Sequence, residues 1–116
     1  MKTENIIIDK TFNFSLSIIS LFKKLQEDKE FIISKQLVKS GTSIGTNVEE
    51  ATAAQSKRDF INKMSIASKE ARETKYWLRL LNNSELTTLN VLDEIKEVNH
   101  IINIITKIII TAKNNV

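Results

Sequence analysis

Apolar residues along this chain recur at helical intervals almost from end to end. Ile8, Phe12, Ser15, Ile19 and Phe22 step by four, three, four and three, as one face of a helix requires. The pattern predicts a first helix over residues 9–26. Phe14, Ile18, Leu21 and Leu25 form a second apolar row beside the first. The charged run QEDKE, residues 26–30, reads as a connection. A second helix is predicted over residues 30–54, where Leu37, Gly41, Ile44, Val48 and Ala51 repeat the same steps. The third, residues 57–82, carries Phe60, Met64, Ala67, Ala71, Thr74, Leu78 and Leu81 in unbroken heptad spacing. The fourth covers residues 88–113. Its main stripe is Leu92, Ile95, Asn99, Ile102, Ile105 and Ile109, with Ile101, Ile104 and Ile108 as a second row.

The punctuation between these segments agrees. Ser56 is placed to cap the third helix, with Asp59 at the third position of a near capping box. Asn82 and Asn83 are residue types that take the left-handed conformation ending a helix. No segment shows strand alternation bounded by turn residues. Short connections between four helices predict an all-α fold: an antiparallel up-down four-helix bundle forming one domain over residues 1–116. The apolar surfaces of the first and fourth helices are wider than one bundle core needs, which points to a subunit interface.

Both glycines of the chain fall in SGTSIG, residues 40–45. Neither GxxxxGK[ST] nor GxGxxG is present, so a phosphate-binding loop is excluded on spacing. Gly41 and Gly45 instead stay in helical register. An interior glycine costs about 1 kcal/mol against alanine, a cost offset if the missing side chain lets another helix approach. The surrounding Ser40, Thr42, Ser43, Thr46 and Asn47 are expected to bond one turn back or across to a neighbour.

Composition removes most catalytic chemistry. There is no cysteine, so thiol nucleophiles, disulfides and thiolate metal sites are excluded. Glu97 and His100 form an E-x-x-H, but a carboxylate-bridged di-metal centre needs two such motifs and the chain has one histidine. Glu49 and Glu50 point to different helix faces, and no serine–histidine arrangement is evident. The expectation is a non-enzyme with no metal and no cofactor. FNFSLSIISLF, residues 12–22, is interrupted by polar residues. IINIITKIII is shorter than the roughly 20 residues of a membrane span. A cytoplasmic protein without membrane contact is expected.

Net charge is +3, but its placement is uneven. Residues 57–79 hold seven cations against three carboxylates, a net of +4, so the rest of the chain nets −1. Lys63, Lys69, Arg72, Lys75 and Arg79 are the candidate contacts for phosphate or an acidic partner, because a guanidinium grips phosphate with two parallel bonds. The alternative is a solvated face laced with weak salt bridges. Tyr76 and Trp77 are candidates to stack on bases, though a Trp77 beside Leu78 more often anchors a helix interface.

Residues 36–81, QLVKSGTSIGTNVEEATAAQSKRDFINKMSIASKEARETKYWLRLL, carry SIG-x-N, SKRDFINKMSIA, KEARET and YWLRLL in order and without gaps. This stretch resembles a bacterial four-helix-bundle family first noticed as open reading frames in intervening sequences of 23S ribosomal RNA genes. Ser43, Ile44 and Asn47 match its Ser-Ile-x-x-Asn signature; Ser56, Asp59 and Phe60 match its helix opening; Glu70, Arg72, Glu73 and Arg79 match its charged positions. The resemblance implies a ring-shaped homopentamer. It extends to a related branch, the accessory proteins of diversity-generating retroelements, which associate with a reverse transcriptase and nucleic acid. The expected function is an oligomeric scaffold that engages structured RNA or a ribonucleoprotein. The alternatives are a protein-interaction module, such as a reverse-transcriptase partner, and a purely structural oligomer.

Overall fold

The heptad row of the third helix becomes a buried spine around which the other helices are arranged. The computed structural model describes residues 2–115, with side chains from Asn5 onward. Its elements are α1 (Lys2–Glu27), α2 (Ile33–Thr52), α3 (Lys57–Ser84) and α4 (Leu92–Asn114). Each helix packs on the next, α4 closes back on α1, and the diagonal pairs do not meet. With short connections this is the expected up-and-down bundle, a rod of 49 × 20 × 20 Å. No strand occurs among the described residues.

Met64, Ala67, Ala71, Thr74, Leu78 and Leu81 of α3 are all buried, as are Leu37, Gly41, Ile44, Val48 and Ala51 of α2. The sequence predicts both rows, except that Phe60, first in the predicted α3 row, is only half-buried and Ser34 and Ser40 of α2 are buried as well. The two polar members of this seam satisfy each other: the hydroxyls of Thr74 and Ser40 lie 2.9 Å apart, and Thr74 Oγ1 also lies 2.7 Å from the Glu70 carbonyl.

On α1 and α4 the structure revises the reading. The core row of α1 is Ile7, Thr11, Phe14, Ile18, Leu21 and Leu25. The row beginning at Ile8 faces outward, with Phe12 60% and Ile19 37% exposed. Two adjacent apolar rows compete for one interior. The winner runs unbroken for five turns, and its one polar member, Thr11, bonds its hydroxyl to the Ile7 carbonyl at 2.8 Å. The helix also begins earlier than predicted because Ile7 anchors its first turns. In α4 the core is Val98, Ile101, Ile102, Ile105 and Ile108, which lies between the two expected rows. Leu92 is 56% exposed, and α4 starts four residues later than predicted, where Asn90 Oδ1 accepts from the Leu92 amide at 2.9 Å.

The two glycines behave differently. A Cβ on Gly41 would lie 2.9 Å from Ile18 Cγ2 and 3.1 Å from its Cγ1, so α1 and α2 approach there more closely than any side chain allows. A Cβ on Gly45 would meet Ser15 Oγ and the Thr11 carbonyl at 3.5 Å, ordinary contact. Of the GxxxG pair, only Gly41 serves close packing. The neighbouring Ser43 and Asn47 bond one turn back, to the Lys39 carbonyl at 2.7 Å and the Ser43 carbonyl at 2.9 Å.

The connection after α1 is tightly organised. Glu30 N donates to the Leu25 carbonyl at 2.8 Å and Lys29 N to Gln26 at 3.0 Å, the paired bonds of a left-handed helix stop. Lys29 supplies the left-handed residue, at φ 65°. Side chains with a Cβ are strained there. Lys29→Gly is therefore expected to raise stability by about 1 kcal/mol, read as a higher urea midpoint with an unchanged slope. The Glu30 carboxylate then reaches forward to α2. It accepts from the amides of Ile32 at 3.1 Å, Ile33 at 3.0 Å and Ser34 at 2.6 Å. At the far end of α3, Asn82 and Asn83 remain helical, and Glu85 at φ 62° is the left-handed residue instead.

The α1–α4 seam is the thinnest of the four. It holds the Lys10–Glu97 pair at 3.5 Å and a cleft of about 350 Å³ beside Phe14 and Glu94. Glu94 Oε1 is buried there without a hydrogen-bond partner.

Candidate nucleic-acid interface

Ser56 fixes where α3 begins. Its hydroxyl accepts from the Asp59 amide at 3.0 Å in extended geometry, the cap predicted from sequence. That start, together with the buried heptad row, dictates which residues face away from the bundle. Arg58, Asn62, Ser65, Lys69, Arg72, Tyr76, Arg79 and Asn83 follow one another at steps of four and three, and every one is exposed. They form a single outward stripe. From Arg58 to Arg79 it runs about 32 Å at 1.5 Å per residue. Four cations, an aromatic ring and three small polar side chains share it, and no carboxylate falls on it.

The structure brings Lys69, Arg72 and Arg79 together on this line. None of the three forms an ion pair among the described residues. Lys75 is half-buried at the edge of the stripe. Lys63 is elsewhere: it lies about two and a half turns from Arg72 and bonds Glu50 of α2 at 2.9 Å. That hydrogen bond and the Glu50 charge hold the Lys63 ammonium above its ordinary 10.5. Lys63 is therefore committed to the α2–α3 seam. Arg58, absent from the expected set, belongs to the stripe; the four-and-three spacing back from Lys69 was the signal that finds it. Beside it lies a shallow hollow of about 550 Å³ lined by Ser56, Arg58, Asp59, Ile61, Asn62 and Ser65.

Trp77 sits next to the stripe and packs on the core. Its Nε1 donates to Glu73 Oε2 at 3.3 Å, and its ring meets Tyr76 edge-on with centroids 5.3 Å apart. Tyr76 itself is 54% exposed.

A second feature lies across the bundle. Ile8, Phe12, Leu16 and Ile19 of α1, with Thr42 and Gly45 of α2, line an open groove of about 270 Å³. Because α1 and α3 are diagonal in the bundle, this groove and the basic stripe occupy different corners. His100 is exposed, and among the described residues no group of three or more His, Asp or Glu side chains is placed to hold a metal ion. No helix among the described residues is long and apolar enough to cross a membrane.

Comparison with known proteins agrees with this architecture. The family model for the 23S rRNA-intervening sequence protein matches residues 3–109. A crystal structure of a protein of unknown function from the S23 ribosomal protein family of Bacteroides thetaiotaomicron matches with a TM-score of 0.88. It is 45% identical, and the match covers 92% of this chain and 97% of that one. Among curated proteins none matches the chain.

Proposed function

The chain belongs to the 23S rRNA-intervening sequence protein family, and from that premise we propose that it is a non-enzymatic oligomeric scaffold that binds RNA through the outer stripe of α3. The observation that carries the reading is the stripe itself. Arg58, Lys69, Arg72 and Arg79 form no ion pair among the described residues and share one straight face, which Glu73 borders. Phosphate binding rewards this arrangement, because each cation laid along the backbone releases condensed counterions. The buried spine of α3 fixes the backbone positions from which the cations project, so their spacing along the face is set before binding.

Self-assembly as a ring of five multiplies the effect. The exposed apolar side chains Phe12 and Leu16 of α1, 60% and 52% exposed, supply a surface for subunit contact. That surface lies on α1, diagonal to α3 in the bundle. Five parallel stripes convert weak single contacts into avidity.

The double substitution Arg72→Ala with Arg79→Ala tests the reading. RNA affinity is expected to fall about tenfold or more, with a salt dependence shallower by about two phosphate contacts. Light-scattering mass should remain that of the pentamer. RNA binding that persists unchanged would remove the stripe from consideration. A protein that binds an acidic polypeptide but no RNA would point to the interaction-module alternative.

A further inference from the structure

We infer, building on the RNA reading of the stripe, that Tyr76 is a stacking platform for an unpaired base, so that α3 takes single-stranded or looped RNA in preference to duplex. Tyr76 is the only tyrosine in the chain. It stands in the middle of the cationic run, four residues after Arg72 and three before Arg79, so that a guanidinium lies about one turn away on either side. The core has no claim on it: Thr74 and Leu78 fill the interior at this level, and the tyrosine ring is 54% exposed.

The ring is also braced. Trp77 meets it at an interplanar angle of 70°, a contact that occupies at most one of its faces. Trp77 is itself held from two sides, by the core it packs on and by the hydrogen bond from its Nε1 to Glu73. The same bond engages the carboxylate nearest the stripe. The result is an aromatic surface fixed by a neighbour, open to solvent and flanked by two free cations.

Duplex RNA has little use for such a surface. Its bases are stacked on one another, its major groove is deep and narrow, and it presents phosphates and 2′-hydroxyls to a protein. An unpaired base offers a free π-face. Stacking on an aromatic side chain, with cations on the flanking phosphates, is how single strands are gripped without sequence preference. The cations alone would suit either form of RNA; Tyr76 separates them.

Trp77 is the only tryptophan, and its contact with Tyr76 makes intrinsic fluorescence a direct reporter of the site. The full chain would be titrated at fixed salt with a short oligouridylate and with an RNA duplex of equal phosphate count. The single strand is expected to bind more tightly and to quench the fluorescence. Tyr76→Ala should lose about tenfold in single-strand affinity while keeping the wild-type salt slope and melting curve, and Tyr76→Phe should retain binding. Arg72→Ala should lower the salt slope instead. Wild-type protein that prefers duplex, or Tyr76→Ala protein that binds the single strand as wild type does, overturns the stacking role while leaving the phosphate stripe standing. Wild-type protein that binds neither RNA overturns both.

Discussion

Replacing Glu30 by alanine is expected to cost the folded chain about 2–3 kcal/mol, more than any other single change to a connection. The carboxylate accepts three backbone amides at the start of α2, from Ile32, Ile33 and Ser34, and Glu30 is only 9% exposed. Those amides have no partner one turn back, because a helix leaves its first four donors unpaired. The Ser34 amide bond is buried, so water does not take over when the carboxylate is removed. The negative charge also lies at the positive end of the helix dipole. Ordinary caps use Ser, Thr, Asp or Asn immediately before the helix; here the residue in that place is Ile32, whose side chain makes no cap bond. Glu30→Gln, which keeps one acceptor oxygen but puts a donor in place of the other, should fall about midway between wild type and alanine. Urea unfolding at fixed protein concentration measures all three. Equal stability of wild type and alanine variant would mean that the cap contributes nothing.

The second large effect separates the two glycines. Gly41→Leu is expected to destabilise by about 3 kcal/mol or more, the upper part of the range for overfilling a packed core. Gly41→Ala should cost about 1 kcal/mol even after its gain in helix propensity. The obstacle is Ile18, 2.9 Å from the position of the new methyl. Branching at its own Cβ leaves it few ways to turn aside. Gly45→Ala, one helical turn on, should stabilise by about 0.5–1 kcal/mol, because the methyl finds ordinary contact and the unfolded chain loses freedom. Opposite signs from two glycines of one GxxxG are the expected result. A parallel response would mean that both reflect helix propensity alone.

Where one apolar row stood against polar neighbours, as on α2 and α3, spacing identified the apolar core but not the buried Ser34 and Ser40, and it included Phe60, which is half-buried. On α1 it could not. The rows starting at Ile7 and Ile8 are both apolar and lie about 100° apart, so choosing between them needs the positions of other helices. The same ambiguity displaced the core of α4, where seven of residues 101–110 are isoleucine and Val98 lies outside both expected rows. Glu30 was hidden for a different reason. Its partners are backbone amides, which carry no residue-type signature, and QEDKE reads as an ordinary charged connection. Of the candidate site, Lys69, Arg72 and Arg79 were legible from charge alone. The pairing of Lys63 with Glu50 is not legible from charge, because Glu50 lies on another helix, thirteen residues away. Arg58 was legible once α3 had a fixed face.

The thin seam between α1 and α4 bears on the order of events in folding. Each of the other three seams joins consecutive helices, and a connection of a few residues keeps those helices near one another even in the unfolded chain. The fourth brings together groups as distant as Lys10 and Glu97, 87 positions apart. Its loop-closure entropy is met only after α2 and α3 have condensed and shortened the path. The α1–α4 edge is therefore expected to be the last seam to close. Breathing of the native state follows the same line in reverse. In native-state hydrogen exchange, amides that face the α1–α4 seam are expected to open before those of the α2–α3 hairpin, which carries the stripe.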